Sequence, residues 1–286
     1  MKKKCIVLFS GGLDSRLAVK LMKEEDFDVL ALFFKLPFGI ADEKTFKPFL
    51  KEQKVKLKIF DHTKGKLLQE YLKVIKNAKH GVGAGVNPCI DCRTFMLKKA
   101  KIFADKKKIE VIATGEVLSQ RPMSQNKRGL EISRKESELG DRLIRPLMKH
   151  DIQGRKRDKQ IVLAKKFKIE YPFPAGGCWL CEKGLKYRLK FLLNRGLNAE
   201  EIKLVKGYRH FVIDKKWVVL GRDKKENEVI GKLKTGKIIV PKFKGPSAVI
   251  FDKGNKEFFR KVQKLIKAYS REGSSKDKKQ FEKFRL

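Results

Sequence analysis

Apolar positions over roughly the first 165 residues follow two rhythms. Short continuous runs at 5–9, 29–34, 58–61 and 110–114 predict strands buried on both faces. Between them, apolar residues recur at helical spacing: Leu17, Val19, Leu21 and Met22 within 16–25, Leu67 to Ile75 within 63–78, and Phe95 to Phe103 within 93–107. Strands alternating with helices of this length predict an α/β, doubly wound parallel sheet. The pattern changes after residue 200. Short β-like runs at 210–213, 217–221, 238–240 and 248–251 are separated by charged turns, a helix is expected at 256–269, and the tail from Arg271 reads as charged and mobile. The expected organisation is a nucleotide-type domain at 1–170, a connector at 171–200 that opens on a proline-rich 171–177, and a second, smaller α+β domain at 201–286.

Charge changes the picture next. The 286 residues include 70 Lys+Arg against 33 Asp+Glu, a formal net charge of +37. That surplus calls for a polyanionic partner, RNA or DNA first. Lysine-rich heat-adapted surfaces are the rival explanation, but those are usually balanced by glutamate. Residues 201–286 carry 25 basic and 10 acidic residues and residues 1–200 carry 45 and 23, so the last third is the more basic per residue. No apolar run reaches the roughly 18–20 residues that span a bilayer, and the amino end lacks the apolar length of a signal peptide, so a cytoplasmic protein without membrane contact is expected.

Four of the five cysteines form two Cys-x-x-Cys pairs, Cys89/Cys92 and Cys178/Cys181. In a reducing compartment such pairs point to metal or sulfur chemistry. Their separation far exceeds that of a compact zinc ribbon, so a shared site has to be assembled by the fold; a structural zinc on four thiolates is one candidate. Cys5 reads as a small core residue.

The most informative segment is Ser10-Gly11-Gly12-Leu13-Asp14-Ser15, set between a strand and a helix. Its glycines let the backbone approach an anion, Ser10 and Ser15 offer hydroxyls, and the helix start adds N–H groups and a positive dipole. Asp14 is placed to hold Mg²⁺ or orient phosphates. The loop lacks the lysine of a Walker loop, which suits cleavage of ATP between the α- and β-phosphates. The plain alternative is a tight turn capping a helix. A second glycine string, Gly231-Lys232-Leu233-Lys234-Thr235-Gly236-Lys237-Ile238, has Ile where a Walker loop needs a hydroxyl. The glycines at 81–85 read as a flexible loop that lets the first cysteine pair move.

The Ser10–Ser15 string resembles the hallmark of the PP-loop ATP pyrophosphatases, which adenylate a carbonyl oxygen and release pyrophosphate. Asn87-Pro88-Cys89-Ile90-Asp91-Cys92-Arg93 is similar to a loop of the 2-thiouridylases. Thr114-Gly115-Glu116-Val117-Leu118-Ser119-Gln120 with Ser124-Gln125 is similar to an element of 4-thiouridine synthases, with Ser119 where that element carries glycine. Ala175-Gly176-Gly177-Cys178 resembles an element of thiouridine synthases that hold an iron–sulfur cluster on three cysteines.

The resemblance implies an adenine nucleotide α-hydrolase-like fold and an ATP-dependent tRNA thiouridine synthase, with 4-thiouridine favoured over 2-thiouridine. It implies ATP on Ser10, Gly11, Gly12, Asp14, Ser15, Thr114 and Gly115, and a 4Fe–4S cluster on Cys89, Cys92 and Cys178, with Cys181 left open. Asp14, Cys92 and Cys178 are the implied catalytic residues. The alternatives for the thiols are a persulfide carried by Cys92 and Cys178, or zinc. Sulfide or a sulfur-donor protein is implied as a partner; the oligomeric state stays open, a homodimer included. Arg93, Arg121 and Arg145 are candidates to face the departing phosphate, or equally the RNA backbone. A small-molecule ATP-pyrophosphatase ligase and a non-catalytic RNA-binding metal protein are the rival readings.

In the last third, Tyr208-Arg209-His210-Phe211, Trp217, Gly221-Arg222-Asp223-Lys224 and Asn227-Glu228 resemble the NFACT-R (DUF814) RNA-binding domain. That likeness implies an RNA clamp, with Arg209, Arg222 and Lys224 on phosphates and Trp217 or Tyr208 stacking on a base.

Overall fold

The computed structural model describes all residues except 1, 82 and 172–176. Most of the expected 171–177 connector therefore lies outside the described residues. Contacts divide the chain into two compact units, Met1–Lys186 with Leu193–Arg195, and Tyr187–Leu192 with Gly196–Leu286.

The first unit runs β1 (Lys4–Leu8), α1 (Leu13–Glu24), β2 (Asp28–Lys35), α2 (Glu43–Glu52), β3 (Lys56–Asp61), α3 (Gly65–Lys76), α4 (Cys89–Lys106), β4 (Val111–Thr114), α5 (Lys127–Glu136), β5 (Leu143–Ile144), α6 (Pro146–Lys149) and α7 (Asp158–Lys166). The strands form one parallel sheet in the order β3-β2-β1-β4-β5. Alternate residues of β1 serve opposite faces. Cys5 and Val7 join a core with α1 and α2, whereas Ile6 and Leu8 join one with Leu97, Ala100 and Ala104 of α4. Burial on both sides explains why these strands read as unbroken apolar runs. The order reverses between β1 and β4, so the loops after Leu8 and Thr114 face each other at the position where open α/β sheets bind ligands.

The second unit carries α8 (Lys186–Arg195, in part), α9 (Ala199–Lys203), β6 (Arg209–Ile213), β7 (Lys216–Leu220), α10 (Lys224–Gly231), β8 (Lys237–Ile239), β9 (Ala248–Ile250), α11 (Lys256–Ala268) and α12 (Ser275–Glu282). Its sheet is antiparallel, ordered β6-β7-β9-β8. Phe258, Val262, Leu265 and Ile266 of α11 pack on it. The tail does not match its expectation of a mobile end. A capping box between Ser274 and Asp277 starts α12, Phe281 is buried, Val212 N–H donates to Phe284 O (2.7 Å), and Leu286 N–H donates to His210 O (3.0 Å). The chain end thus lies alongside β6.

His210 and Trp217 form the polar centre of this second core. Trp217 Nε1 donates to His210 Nδ1 (3.2 Å), and His210 Nε2 sits 2.9 Å from Gly207 O, which defines the neutral Nε2–H tautomer. Burial, reinforced by the charge of Arg188, lowers the His210 pKa from 6.5 to about 3. The unfolded chain therefore binds a proton that the folded unit refuses. This stabilising contribution is full above about pH 6.5 and fades as pH falls towards 3. Unfolding free energies from urea titrations between about pH 7 and about pH 4 should show a slope that approaches 1.4 kcal/mol per pH unit from this group and is absent in His210→Gln. An identical slope in both proteins would refute this assignment.

Candidate nucleotide and thiol site

The loop between β1 and α1 is held from behind by one buried guanidinium. Arg16 donates from Nε to Gly11 O (2.8 Å), from Nη1 to Glu170 O (2.8 Å) and from Nη2 to Thr45 O (3.0 Å), and lies 5.0 Å over the Phe49 ring. Gly11 has φ 80°, and a Cβ there would stand 2.5 Å from Phe46 Cδ1, so only glycine fits. Helix α1 begins at Gly12 with no side-chain cap, which leaves its first N–H groups available to an anion. Ser15 Oγ donates to Gly12 O (2.9 Å), and Ser10 Oγ lies 3.3 Å from it.

Across the switch point, Gly115 fits against this loop with no room to spare. A Cβ on it would meet Asp14 O at 2.5 Å and Ser15 N at 2.8 Å. Gln120, farther along the same loop, donates from Nε2 to Asp14 Oδ2 (2.9 Å). Burial raises the Asp14 pKa, and the Gln120 bond and the charges of Arg157 and Arg121 oppose that rise. Asp14 Oδ1 is buried without a hydrogen-bond partner, as expected of an oxygen that awaits a cation or a ligand hydrogen bond. Gln160 of α7 is fully buried beside it and adds a further, weaker pull on the Asp14 carboxylate; nothing in its helical sequence context marked it beforehand. Ser119 adopts φ 62°, the left-handed region, which accounts physically for glycine in the motif it resembles.

Glu116 is the hub of the same loop. It is 1% exposed, accepts from Thr114 Oγ1 (3.0 Å) and Arg145 Nε (3.0 Å), and pairs with Arg93 Nε at 3.1 Å. The Arg93 contact is an ion pair without hydrogen-bond alignment. Two of the three arginines expected near the phosphates are therefore tied to a carboxylate, one of them on the helix that carries Cys92.

The fold brings the two cysteine pairs together. Helix α4 starts at Cys89, earlier than its periodicity suggested, because Asn87 (φ 41°) and Pro88 set its entry; Cys89 and Cys92 occupy its first turn. Asp91 accepts from the N–H groups of Lys79 (2.7 Å) and His80 (3.2 Å), which fixes the approach to that turn. The second pair is pinned by its backbone. Trp179 N–H donates to Phe38 O (3.0 Å), Gly39 and Cys178 form a β-bridge, and Val86 and Asn87 N–H both donate to Leu180 O at 2.9 Å. Gly85 allows this contact, since a Cβ there would meet Leu180 O at 2.6 Å; it serves close packing, unlike the flexible role expected of its stretch, of which residue 82 is not described.

Cys181, the exposed member, is drawn well below the ordinary thiol range by hydrogen bonds from Cys178 and Cys89. Those two donors are correspondingly raised, as is Cys92, by burial, beside the Tyr71 hydroxyl at 3.5 Å. The centre is a cluster of sulfurs in which Cys181 accepts from Cys178 and Cys89, with Cys92 adjacent. Among the described residues no group of three or more His, Cys, Asp or Glu is arranged to coordinate an ion directly. The donors themselves are soft, and suit iron–sulfur or zinc chemistry. Arg121 lowers the pKa of Asp14, Cys89 and Cys181 alike, so one guanidinium is in electrostatic reach of both halves of the site.

In the second unit the residues expected to clamp RNA are largely committed elsewhere. Trp217 is 0% exposed, with its indole stacked between His210 (5.8 Å) and Phe251 (5.7 Å), so the expectation that it stacks on a base is wrong: its faces are already covered. Arg209 donates to Gly221 O (2.9 Å) and lies over Tyr269; Arg222 forks onto Glu226. Asp223 caps α10 and Asn227 accepts from Ser247 N–H (2.9 Å), which gives the Gly-Arg-Asp and Asn-Glu strings structural roles. Lys224 is exposed.

A family model described as thiamine biosynthesis protein (ThiI) matches residues 1–169. A curated relative, the tRNA-specific 2-thiouridylase MnmA of Karelsulcia muelleri (strain GWSS), is 32% identical over 137 residues, covering 44% of this chain and 34% of the relative. The chain thus spans about a third of the length of that relative. Among solved structures, a chain from Methanocaldococcus jannaschii described as a predicted subunit of tRNA methyltransferase aligns over 57% of this chain and 74% of its own at 18% identity and TM-score 0.39. A 4-thiouridine synthetase solved with RNA and bound ATP aligns over 66% of this chain and 50% of its own at 19% identity and TM-score 0.44.

Removing the hub carboxylate should strand two guanidiniums in a largely buried setting. Glu116→Gln is expected to destabilise the first unit by about 3 kcal/mol in urea unfolding, in the range of broken buried pairs. A loss below about 1 kcal/mol would mean that the pair is no more than a surface contact.

Proposed function

Because the chain belongs to the ThiI family, whose model spans residues 1–169, we propose that it is an ATP-dependent tRNA sulfurtransferase. It activates a uridine carbonyl by adenylation and replaces the oxygen with sulfur. The observation that carries this reading is geometric: Glu116, on the loop packed against the glycine-turn anion cradle, is ion-paired with Arg93 of the helix whose first turn carries Cys89 and Cys92, so the cradle and the first thiol pair are joined through one contact.

The uncapped start of α1, with Gly11, Gly12, Ser10 and Ser15, binds the phosphates, and Thr114 and Gly115 close the opposite side. The free Oδ1 of Asp14 would hold Mg²⁺. The uracil oxygen attacks the α-phosphorus and pyrophosphate leaves. The nucleophilic sulfur of hydrosulfide, supplied as sulfide or by a donor protein, then adds to the ring carbon, and AMP departs with the former carbonyl oxygen. Arg121 stabilises the charge that develops on the phosphate in both steps. Cys89, Cys92 and Cys178 would hold a 4Fe–4S cluster, which when bound supplies an open iron for hydrosulfide; the low-pKa Cys181 lines the same centre. The element from Thr114 to Gln120 supports 4-thiouridine over 2-thiouridine. The basic, NFACT-R-like second unit captures the RNA, and the reducing chemistry of the thiols suits the cytoplasm.

The test is made on full-length protein purified without oxygen, with iron and zinc assays, pyrophosphate release in the presence and absence of unmodified tRNA, and nucleoside analysis of the product. About four irons per chain and tRNA-dependent pyrophosphate release are expected. Asp14→Ala should abolish that release while RNA affinity stays within about twofold. Cys178→Ala should bind ATP normally and insert no sulfur. One zinc per chain would replace the cluster in this scheme. Pyrophosphate release that ignores tRNA would refute the function.

A further inference from the structure

The second unit contains a groove of ≈ 750 Å³ between the segment that leaves β8 and one side of α11. Its volume lies in the range of about 300–1,000 Å³ found for small-ligand sites. β8 is the end strand of its sheet, bonded only to β9, so the chain continuing from it is open on its other side. Val240, 67% exposed, and Phe243, 39% exposed, contribute apolar surface to the groove, with Ile266 also lining it. Two large apolar side chains presented to water on one short segment stand out in a chain of 286 residues with a formal net charge of +37.

The opposite wall is cationic by helical spacing. Arg260, Lys264 and Lys267 are exposed at i, i+4 and i+7 of α11, and Lys242 faces them across the groove. Arg260, Lys264 and Lys242 have no carboxylate partner among the described residues, while Lys261 is already paired with Asp214 and Glu257, the one acidic residue in the lining. An apolar floor with an exposed aromatic ring beside a row of uncommitted cations matches a chain whose flat faces are apolar and whose backbone is anionic, and opposes an acidic-free apolar helix or a second copy of this basic protein.

We infer that this groove binds a single-stranded segment of RNA, with a base against Phe243 and Val240 and the flanking phosphates on Arg260, Lys264 and Lys242. The inference rests on the tRNA reading above and names the place on the molecule that takes the RNA. It moves the base contact away from Trp217, whose indole is buried in the core of the second unit.

Full-length protein is titrated against unmodified tRNA and against fluorescein-labelled oligouridine by anisotropy over a range of salt concentrations. The double variant Arg260→Glu/Lys264→Glu should bind oligouridine at least tenfold more weakly, with a log–log salt slope shallower by about 1.4, the value for two lost single-strand phosphate contacts. Phe243→Ala should lose about fivefold or more with the salt slope unchanged, as expected for lost stacking. Both variants should keep wild-type ATP affinity and circular dichroism, which separates a binding defect from misfolding. If wild type binds tRNA and both variants bind tRNA and oligouridine as tightly as it does, the groove assignment is overturned and the sulfurtransferase reading stands. If the variants instead lose affinity only for an acidic peptide, the groove is a protein-docking surface and the assignment is likewise overturned. If wild type itself fails to bind tRNA, the functional reading falls, and the groove assignment with it.

Discussion

Everything at the candidate site depends on a backbone contact that no side chain could replace. Gly115, just past β4, lies against the carbonyl of Asp14 and the amide of Ser15 so closely that a methyl group would overlap both. Two loops from neighbouring parallel strands are locked together at the switch point of the sheet. With that distance fixed, Gln120 reaches the Asp14 carboxylate and Glu116 is buried deep enough to recruit Arg93 from α4 and Arg145 from beyond β5. A rigid sheet sets the two loop origins, and the missing Cβ lets them close. Arg16 holds the other side of the glycine turn by three carbonyls, two of them from distant segments, so the anion cradle is braced from both directions.

The cysteine centre solves a different problem. Joining Cys89 to Cys178 closes a loop of nearly ninety residues, a cost that grows only logarithmically with length and is largely met by folding the intervening α/β structure. What remains is local alignment, and backbone hydrogen bonds supply it. One carbonyl, Leu180 O, accepts from both Val86 and Asn87, while Trp179 is tied to Phe38 at the exit of β2. The backbone thereby brings the two cysteine pairs to one place. The hydrogen bonds that Cys181 receives from Cys178 and Cys89 draw its pKa down, and its greater exposure leaves burial little to oppose them.

How much of this was legible in the sequence depended on the range of the forces involved. Strands buried on both faces were readable as apolar runs, and the glycine turn was readable because its composition is set by local backbone demands. β5 was not, since two residues in register with β4 carry no periodic signal. The start of α4 at Cys89 was masked by polar first-turn residues, and α2, with Pro48 inside it, looks like loop until its Phe46, Phe49 and Leu50 are seen packed together. Ser119 registered as a departure from a motif, but its meaning, a positive φ, appears only in the backbone. The errors in the last third share a cause. Trp217 has the chemistry of an RNA-stacking residue, and sequence alone cannot tell that its indole is enclosed by His210 and Phe251. The charged tail was misjudged because Phe281 and Phe284 are too few to announce a buried face, while their partner strand β6 lies some seventy residues away in sequence.

Charge count and available charge are therefore different quantities in this protein. Seventy basic side chains suggest that any of them could meet a phosphate, yet the structure sorts them by whether a carboxylate or carbonyl has already claimed them. Around the anion cradle, Arg93 and Arg145 pair with Glu116 and Arg16 with backbone carbonyls, while the charges of Arg157 and Arg121 act on Asp14. A carboxylate with one bonded oxygen, one unsatisfied oxygen and two guanidiniums in range is poised between two demands. Alone it favours protonation, because burial penalises its charge; with a divalent cation on the free oxygen it would be held ionised. Under the proposed function, a polyphosphate with its metal would satisfy the carboxylate and the two guanidiniums at once.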